Sequence, residues 1–199
     1  YKLADQLNRK LQGTYSNSYA PLGTLFLNFK NSGTPTKYYR ELNISNAISK
    51  VTYEINGVKY TREYFISNPD KIMVIRLTSS KKGSLNFDVK FESLLKNKMY
   101  AVGKMLTAKG YAPVQAKPSY VGNVSDAVVF DETRGTRFSS LMQIQSTDGA
   151  VKVTDSTLVL RNGTEAIVLV SVATSFNGFN KNPATEGLND ARIANDQME

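Results

Sequence analysis

Residues 51–65 read Val51-Thr52-Tyr53-Glu54-Ile55-Asn56-Gly57-Val58-Lys59-Tyr60-Thr61-Arg62-Glu63-Tyr64-Phe65. Asn56-Gly57 is a favoured pair for a two-residue type I′ turn, in which both central residues need positive φ. A turn there places Ile55 opposite Val58 and Tyr53 opposite Tyr60. On the other face Thr52 meets Thr61, Glu54 meets Lys59 and Lys50 meets Glu63. One face is apolar and aromatic, the other carries matched opposite charges. Such cross-strand pairs contribute about 0.2–1 kcal/mol each and pin the register.

The same period of two extends outward from this hairpin. Leu25, Leu27 and Phe29 alternate with Phe26 and Asn28, and Tyr39–Ile44 is a weaker strand candidate. Ile72–Thr78 is apolar on both faces, as a central strand would be. Beyond the turn Lys81-Lys82-Gly83-Ser84, Leu85, Phe87, Val89 and Phe91 alternate with polar residues. A strand is expected over Val102–Lys109, then a loop over Gly110–Ser119 broken by Pro113 and Pro118. Arg137–Thr147 alternates again and reaches Asp148-Gly149, which reads as a second hairpin into Ala150–Thr154. Thr157–Leu160 and Glu165–Ser175 complete the set. Short strands separated by turn signals predict an all-β, antiparallel sandwich.

Helices are expected only at the ends. Leu3, Leu7 and Leu11 fall four apart with Ala4 beside them, and Gly13 is a natural stop. Glu186–Glu199 has the character of a helix start without a full apolar stripe. No repeat, low-complexity tract or flexible linker divides the chain, so one domain is expected.

Composition narrows the chemistry. The 199 residues include no Cys, no His and no Trp. Thiol nucleophiles, imidazole bases and zinc fingers are thereby excluded, and no cofactor motif is visible. No run approaches the roughly 18 apolar residues of a membrane span. The net charge of +8 raises a polyanion partner, but most basic residues sit singly beside acids. The exception is Ser93–Ser125, with Lys96, Lys98, Lys104, Lys109 and Lys117, no acid, and Tyr100, Tyr111 and Tyr120 interleaved. Without a nucleic-acid motif, a solvated or partner-covered loop face is the better reading, and nucleic acid is not expected as a partner.

Glu54 and Glu63 are the tempting acid–base pair in a chain without histidine. The hairpin register gives each a lysine neighbour on a solvated face, which makes them ordinary ionised surface acids. Asp126, Asp131 and Glu132 lack the dense spacing of a calcium loop, so no metal is expected. Eleven Tyr and nine Phe could stack on sugars, but alternating strands also bury aromatics. From residues and spacing alone, no catalytic site is visible.

Several segments in order resemble the N-terminal domain of glycoside hydrolase family 95, the inverting α-L-fucosidases. They are Ser18-Tyr19-Ala20-Pro21-Leu22-Gly23-Thr24-Leu25-Phe26-Leu27, Tyr39-Arg40-Glu41-Leu42-Asn43-Ile44, Arg62-Glu63-Tyr64-Phe65, Asn68-Pro69-Asp70 and Ala173-Thr174-Ser175-Phe176-Asn177-Gly178. The resemblance implies a β-supersandwich with a short N-terminal helix, followed by a helical linker and an (α/α)6 barrel. It implies that residues 1–185 form the sandwich, lacking the family's first strands, and that 186–199 begin the linker. The family's catalytic groups belong to the barrel and have no matching position here.

The function so implied is that of a non-catalytic domain of a bacterial hydrolase, periplasmic or extracellular, inactive alone. It would pack on its own catalytic barrel and shape the cleft for a fucosylated oligosaccharide. The loop carrying Asn177, Phe179, Asn180 and Asn182 is the candidate for reaching that barrel or the cleft rim. The rival reading is a free-standing carbohydrate-binding or adhesion module, which the lack of Trp platforms disfavours.

Overall fold

The computed structural model describes residues 1–11 and 19–199. The expected helix stop at Gly13 and the Ser18 end of the first family-like segment lie outside the described residues. Fourteen strands and two short α-helices are described. In chain order they are α1 (Lys2–Leu11), β1 (Thr24–Phe29), β2 (Thr36–Asn43), β3 (Ile48–Ile55), β4 (Val58–Ser67), β5 (Ile72–Ser79), β6 (Leu85–Glu92) and β7 (Lys96–Val102). There follow β8 (Met105–Tyr111), β9 (Gln115–Ala116), β10 (Val128–Val129), β11 (Arg137–Gln145), β12 (Ala150–Val153), β13 (Thr157–Gly163), β14 (Glu165–Thr174) and α2 (Asp190–Asp196).

The strands make an all-β antiparallel sandwich. One sheet has eight strands in the order β2-β3-β4-β5-β14-β11-β8-β7, the other four in the order β1-β6-β13-β12, and β9 and β10 form a small ribbon. The hairpin of β3 and β4 has the expected register at every pair, from Ile55↔Val58 to Lys50↔Glu63. Asn56 and Gly57 have φ of 52° and 76°, as a type I′ turn demands. β5 lies between β4 and β14, in the middle of the large sheet.

Alternation builds the core. Leu85, Phe87, Val89 and Phe91 of β6 turn inward, joined by Leu158 and Leu160 of β13. They meet Ile75, Leu77, Leu106, Met142, Ile144 and Val168 of the large sheet. Phe87 and Leu77 are fully shielded from solvent. Fully burying an aliphatic or aromatic side chain contributes about 1.5–3 kcal/mol, so this layer dominates the stability.

Four local expectations are corrected. Val102–Lys109 is not one strand after a loop, because Val102 ends β7 and a turn at Gly103 (φ 57°) leads into β8. Much of Ser93–Ser125 is therefore sheet, not loop: β7 and β8 pair from Lys96↔Tyr111 to Val102↔Met105. The alternation in Lys96–Val102 is masked by its lysines, which occupy the solvent positions of an edge strand. The Gly110–Ser119 loop likewise begins later, since Gly110 and Tyr111 still belong to β8, and it contains β9.

Asp148-Gly149 is no hairpin either. β11 belongs to the large sheet and β12 to the small one, so the chain changes sheet at this corner. Ser146 Oγ donates to the Glu165 carbonyl at 2.6 Å and accepts from the Gly149 amide at 3.2 Å. Asp148 Oδ1 accepts from the Thr164 amide at 2.9 Å. These bonds replace the ladder that a hairpin would have made.

At the ends, α1 forms where the leucine spacing placed it, but none of its residues is buried. α2 lies on the outer face of the large sheet, where Ala194 and Ile193 pack with Leu141, Ala173 and Met105. No helix among the described residues is long and apolar enough to cross a membrane.

Candidate functional site

The loop after β14 is built by its own amides. Asn177 Nδ2 donates to the Glu186 carbonyl at 2.9 Å, and Asn182 Nδ2 donates to the Thr133 carbonyl at 3.2 Å. Asn182 also accepts from the Ala184 amide at 2.9 Å, while its own amide donates to Glu186 Oε2 at 3.0 Å. Lys181 adds an ion pair to Glu186 at 3.5 Å. Two of the four candidate residues, Asn177 and Asn182, thus shape the loop. Phe179 and Asn180 are exposed at its tip, Phe179 at 97%, and Phe176 is exposed at 57%.

Where the loop ends, α2 is anchored by buried hydroxyls. Ser139 Oγ donates to Asp190 Oδ2 at 2.6 Å, and Ser171 Oγ contacts the Ala194 carbonyl at 2.9 Å and Gln197 Oε1 at 2.7 Å. Ser139 and Ser171 are both 1% exposed or less. Small hydroxyl side chains let the helix approach the sheet while satisfying its polar groups.

The carboxylates are held in surface ion pairs. Glu63 contacts Lys50 at 3.5 Å and Arg76 at 3.3 Å, and Arg76 reaches Glu165 at 2.7 Å. Hydrogen bonding and charge from Glu165, then Glu63, push the Arg76 guanidinium further toward its charged form. Glu54 pairs with Lys37 at 2.8 Å and not with its cross-strand neighbour Lys59. Asp126 is held below the usual carboxylate range by its hydrogen bond to Lys117, with Nζ and Oδ1 2.6 Å apart. Asp131 is lowered by hydrogen bonds from the Thr133 hydroxyl and amide. Among the described residues no group of three or more Asp and Glu is placed to hold a metal.

One feature escaped the reading of spacing. A cavity of about 440 Å³ opens where β1 ends over β2, β3 and β4, lined among others by Phe29, Asn31, Tyr38, Tyr53, Arg62 and Tyr64. A signal for it was present. Arg62 falls on the inward side of the alternation, between Tyr60 and Tyr64, where an apolar residue is the rule.

The family model described as "Glycosyl hydrolase family 65, N-terminal domain" matches residues 1–178. The chain belongs to this family of glycoside hydrolase N-terminal domains. The match is to the family 65 description, so the resemblance to such a domain holds while its assignment to family 95 in particular does not follow from it. A curated relative, "Alpha-L-fucosidase 2" of Arabidopsis thaliana, is 30% identical over 181 residues, covering 85% of this chain. The chain spans only 21% of that relative's length. Among solved structures, "Putative kojibiose phosphorylase from human microbiome" matches 89% of this chain and 27% of its own, at 10% identity and a TM-score of 0.45. That likeness is too loose to bear on fold or function.

Proposed function

We propose that this chain is the non-catalytic N-terminal sandwich of a secreted bacterial glycoside hydrolase resembling the family 95 α-L-fucosidases. In this reading it packs on a helical catalytic barrel in the same polypeptide. The Phe179 loop reaches the barrel or the rim of its cleft, and residues 186–199 lead toward it. The observation that carries the proposal is the 30% identity to an α-L-fucosidase of which this chain spans only 21%. The carboxylates add support, because Glu54 and Glu63 are each ion-paired on the sheet surface.

The test compares this chain with a longer polypeptide carrying the downstream region, using a 2′-fucosylated oligosaccharide. Hydrolysis is expected only from the longer protein, and turnover by this chain alone would overturn the proposal. The aromatic cavity favours a second reading, a free-standing carbohydrate-binding module. Submillimolar binding of fucosylated glycans by this chain, with no hydrolysis from the longer protein, would select it.

A further inference from the structure

The cavity beside β1 has a lining unlike the rest of the interior. The Arg62 guanidinium carbon stands 3.9 Å over the Phe29 ring and 4.9 Å from the Tyr53 ring centre. Its Nη2 donates to the Tyr53 hydroxyl at 2.6 Å. Among the described residues Arg62 has no carboxylate partner, and its buried Nε donates to nothing. Asn31 Nδ2, on the same wall, is also buried without an acceptor. Burying a donor unpaired costs about 1–3 kcal/mol, more for a charged group, so two together on one cavity wall call for an acceptor.

The walls are firm. Asn56 Nδ2 donates to the Ser32 carbonyl at 3.1 Å, tying the loop after β1 to the hairpin turn. Gly33 (φ 124°) lies so close to Ile55 that a Cβ there would fall 2.9 Å from its methyl carbon. Tyr38, Tyr53 and Tyr60 form a stack with ring centres 6.5 and 5.4 Å apart, and Tyr38, at 58% exposure, is its accessible end. The volume lies within the range of about 300–1,000 Å³ usual for small-molecule sites.

The geometry points to a binding site for an acidic sugar unit, a hexuronate, in this cavity. The carboxylate would face Arg62 and Asn31, which supply positive charge and unused N–H donors; both N–H groups are shielded from solvent, so binding requires these side chains to turn toward the cavity. The planar guanidinium fork suits a carboxylate better than a neutral hydroxyl does. The apolar face of the sugar ring would lie against Tyr38. That the ring is a sugar rests on the glycoside hydrolase reading; the need for an anionic acceptor does not.

Titration of the 199-residue chain with glucuronate, followed by NMR and calorimetry, tests this. Millimolar or tighter affinity is expected, with shifts at the Asn31 side-chain amide and the Tyr38 and Tyr64 rings, and glucose at least tenfold weaker. Tyr38→Ala, at an exposed position, should weaken binding severalfold with the fold intact. Arg62→Lys, which keeps the charge and removes the fork, should weaken it tenfold or more. Equal affinity for glucose, equal affinity for acetate, absence of binding, or shifts confined to another surface would each overturn the proposal. Glucuronate binding is read on this chain and fucoside hydrolysis on the longer protein, so either reading can fail while the other stands.

Discussion

Ser139 Oγ lies 2.6 Å from Asp190 Oδ2, joining β11 of the large sheet to the first turn of α2 inside a buried layer. The bond decides where the chain after β14 settles, because Ser139 and Asp190 are 1% and 5% exposed and water cannot substitute for either partner. Ser139→Ala leaves a buried carboxylate short of a donor and is expected to cost about 2–3 kcal/mol. The double variant with Asp190→Ala should cost less than the sum of the two singles. Urea unfolding monitored by circular dichroism measures both, and additive costs would show that the pair is not coupled.

Two glycines should respond differently to alanine. Gly57 has φ 76° and open space around a Cβ, so Gly57→Ala meets only the left-handed backbone penalty, about 1–2 kcal/mol. A Cβ on Gly110 would fall 2.0 Å from the Lys96 carbonyl oxygen, and backbone must move to admit it. Gly110→Ala is therefore expected to be the more destabilising, with faster hydrogen exchange in β7 and β8. Equal melting temperatures for the two variants would refute the distinction.

Asp88 sets an acid limit. Burial raises its pKa most strongly, but hydrogen bonds and charge from Lys30 and Arg161, each 2.7 Å away, together outweigh burial and lower it. A carboxyl lowered in the folded state contributes stability above its unfolded value of 3.8, which disappears as pH falls through the lower folded value. Asp88→Asn should thus narrow the stability gap between neutral pH and the region below the unfolded value. A variant whose unfolding free energy follows the wild-type pH profile throughout would contradict this.

Glu54→Gln and Glu63→Gln are expected to be nearly silent. Both acids are in ion pairs with exposed or half-exposed cations on a sheet surface, where such pairs contribute about 0–1 kcal/mol. On the proposed function, hydrolysis by the longer protein should persist with either change. A loss of two or more orders of magnitude in kcat from one of them would give that acid a catalytic role.

The legible parts of this molecule are those decided within a few residues. Asn56-Gly57 carries its own turn geometry, and once that turn forms, every pair of β3 and β4 follows. The inward set of β6 was equally plain, because Leu85, Phe87, Val89 and Phe91 sit at strict period two. β7 was hidden, since its lysines and asparagine occupy an edge strand that buries little and so shows little pattern. The resemblance of ordered segments reached a glycoside hydrolase N-terminal domain, which residue spacing alone did not suggest. The Arg62 cavity was half visible as a charge on an apolar face, but β1 belongs to the small sheet and β2, β3 and β4 to the large one, and only the packing of the two sheets closes it.

Local pattern thus established most of the longer strands, the register of the first hairpin and, within these residues, the lack of histidine and cysteine for catalysis. Turn chemistry and alternation act between neighbours, and a missing residue type needs no folding to be known. Sheet membership was decided at a distance. Asp148-Gly149 has a hairpin's composition, yet β12 joins the small sheet, since its partner is β13 and the Asp148 carboxylate is held by the Thr164 amide. The loop of Asn177, Phe179, Asn180 and Asn182 shows the same division. Its polar composition marked it as a loop, but only the fold brought Thr133 to Asn182, 49 positions away, and left Phe179 facing solvent.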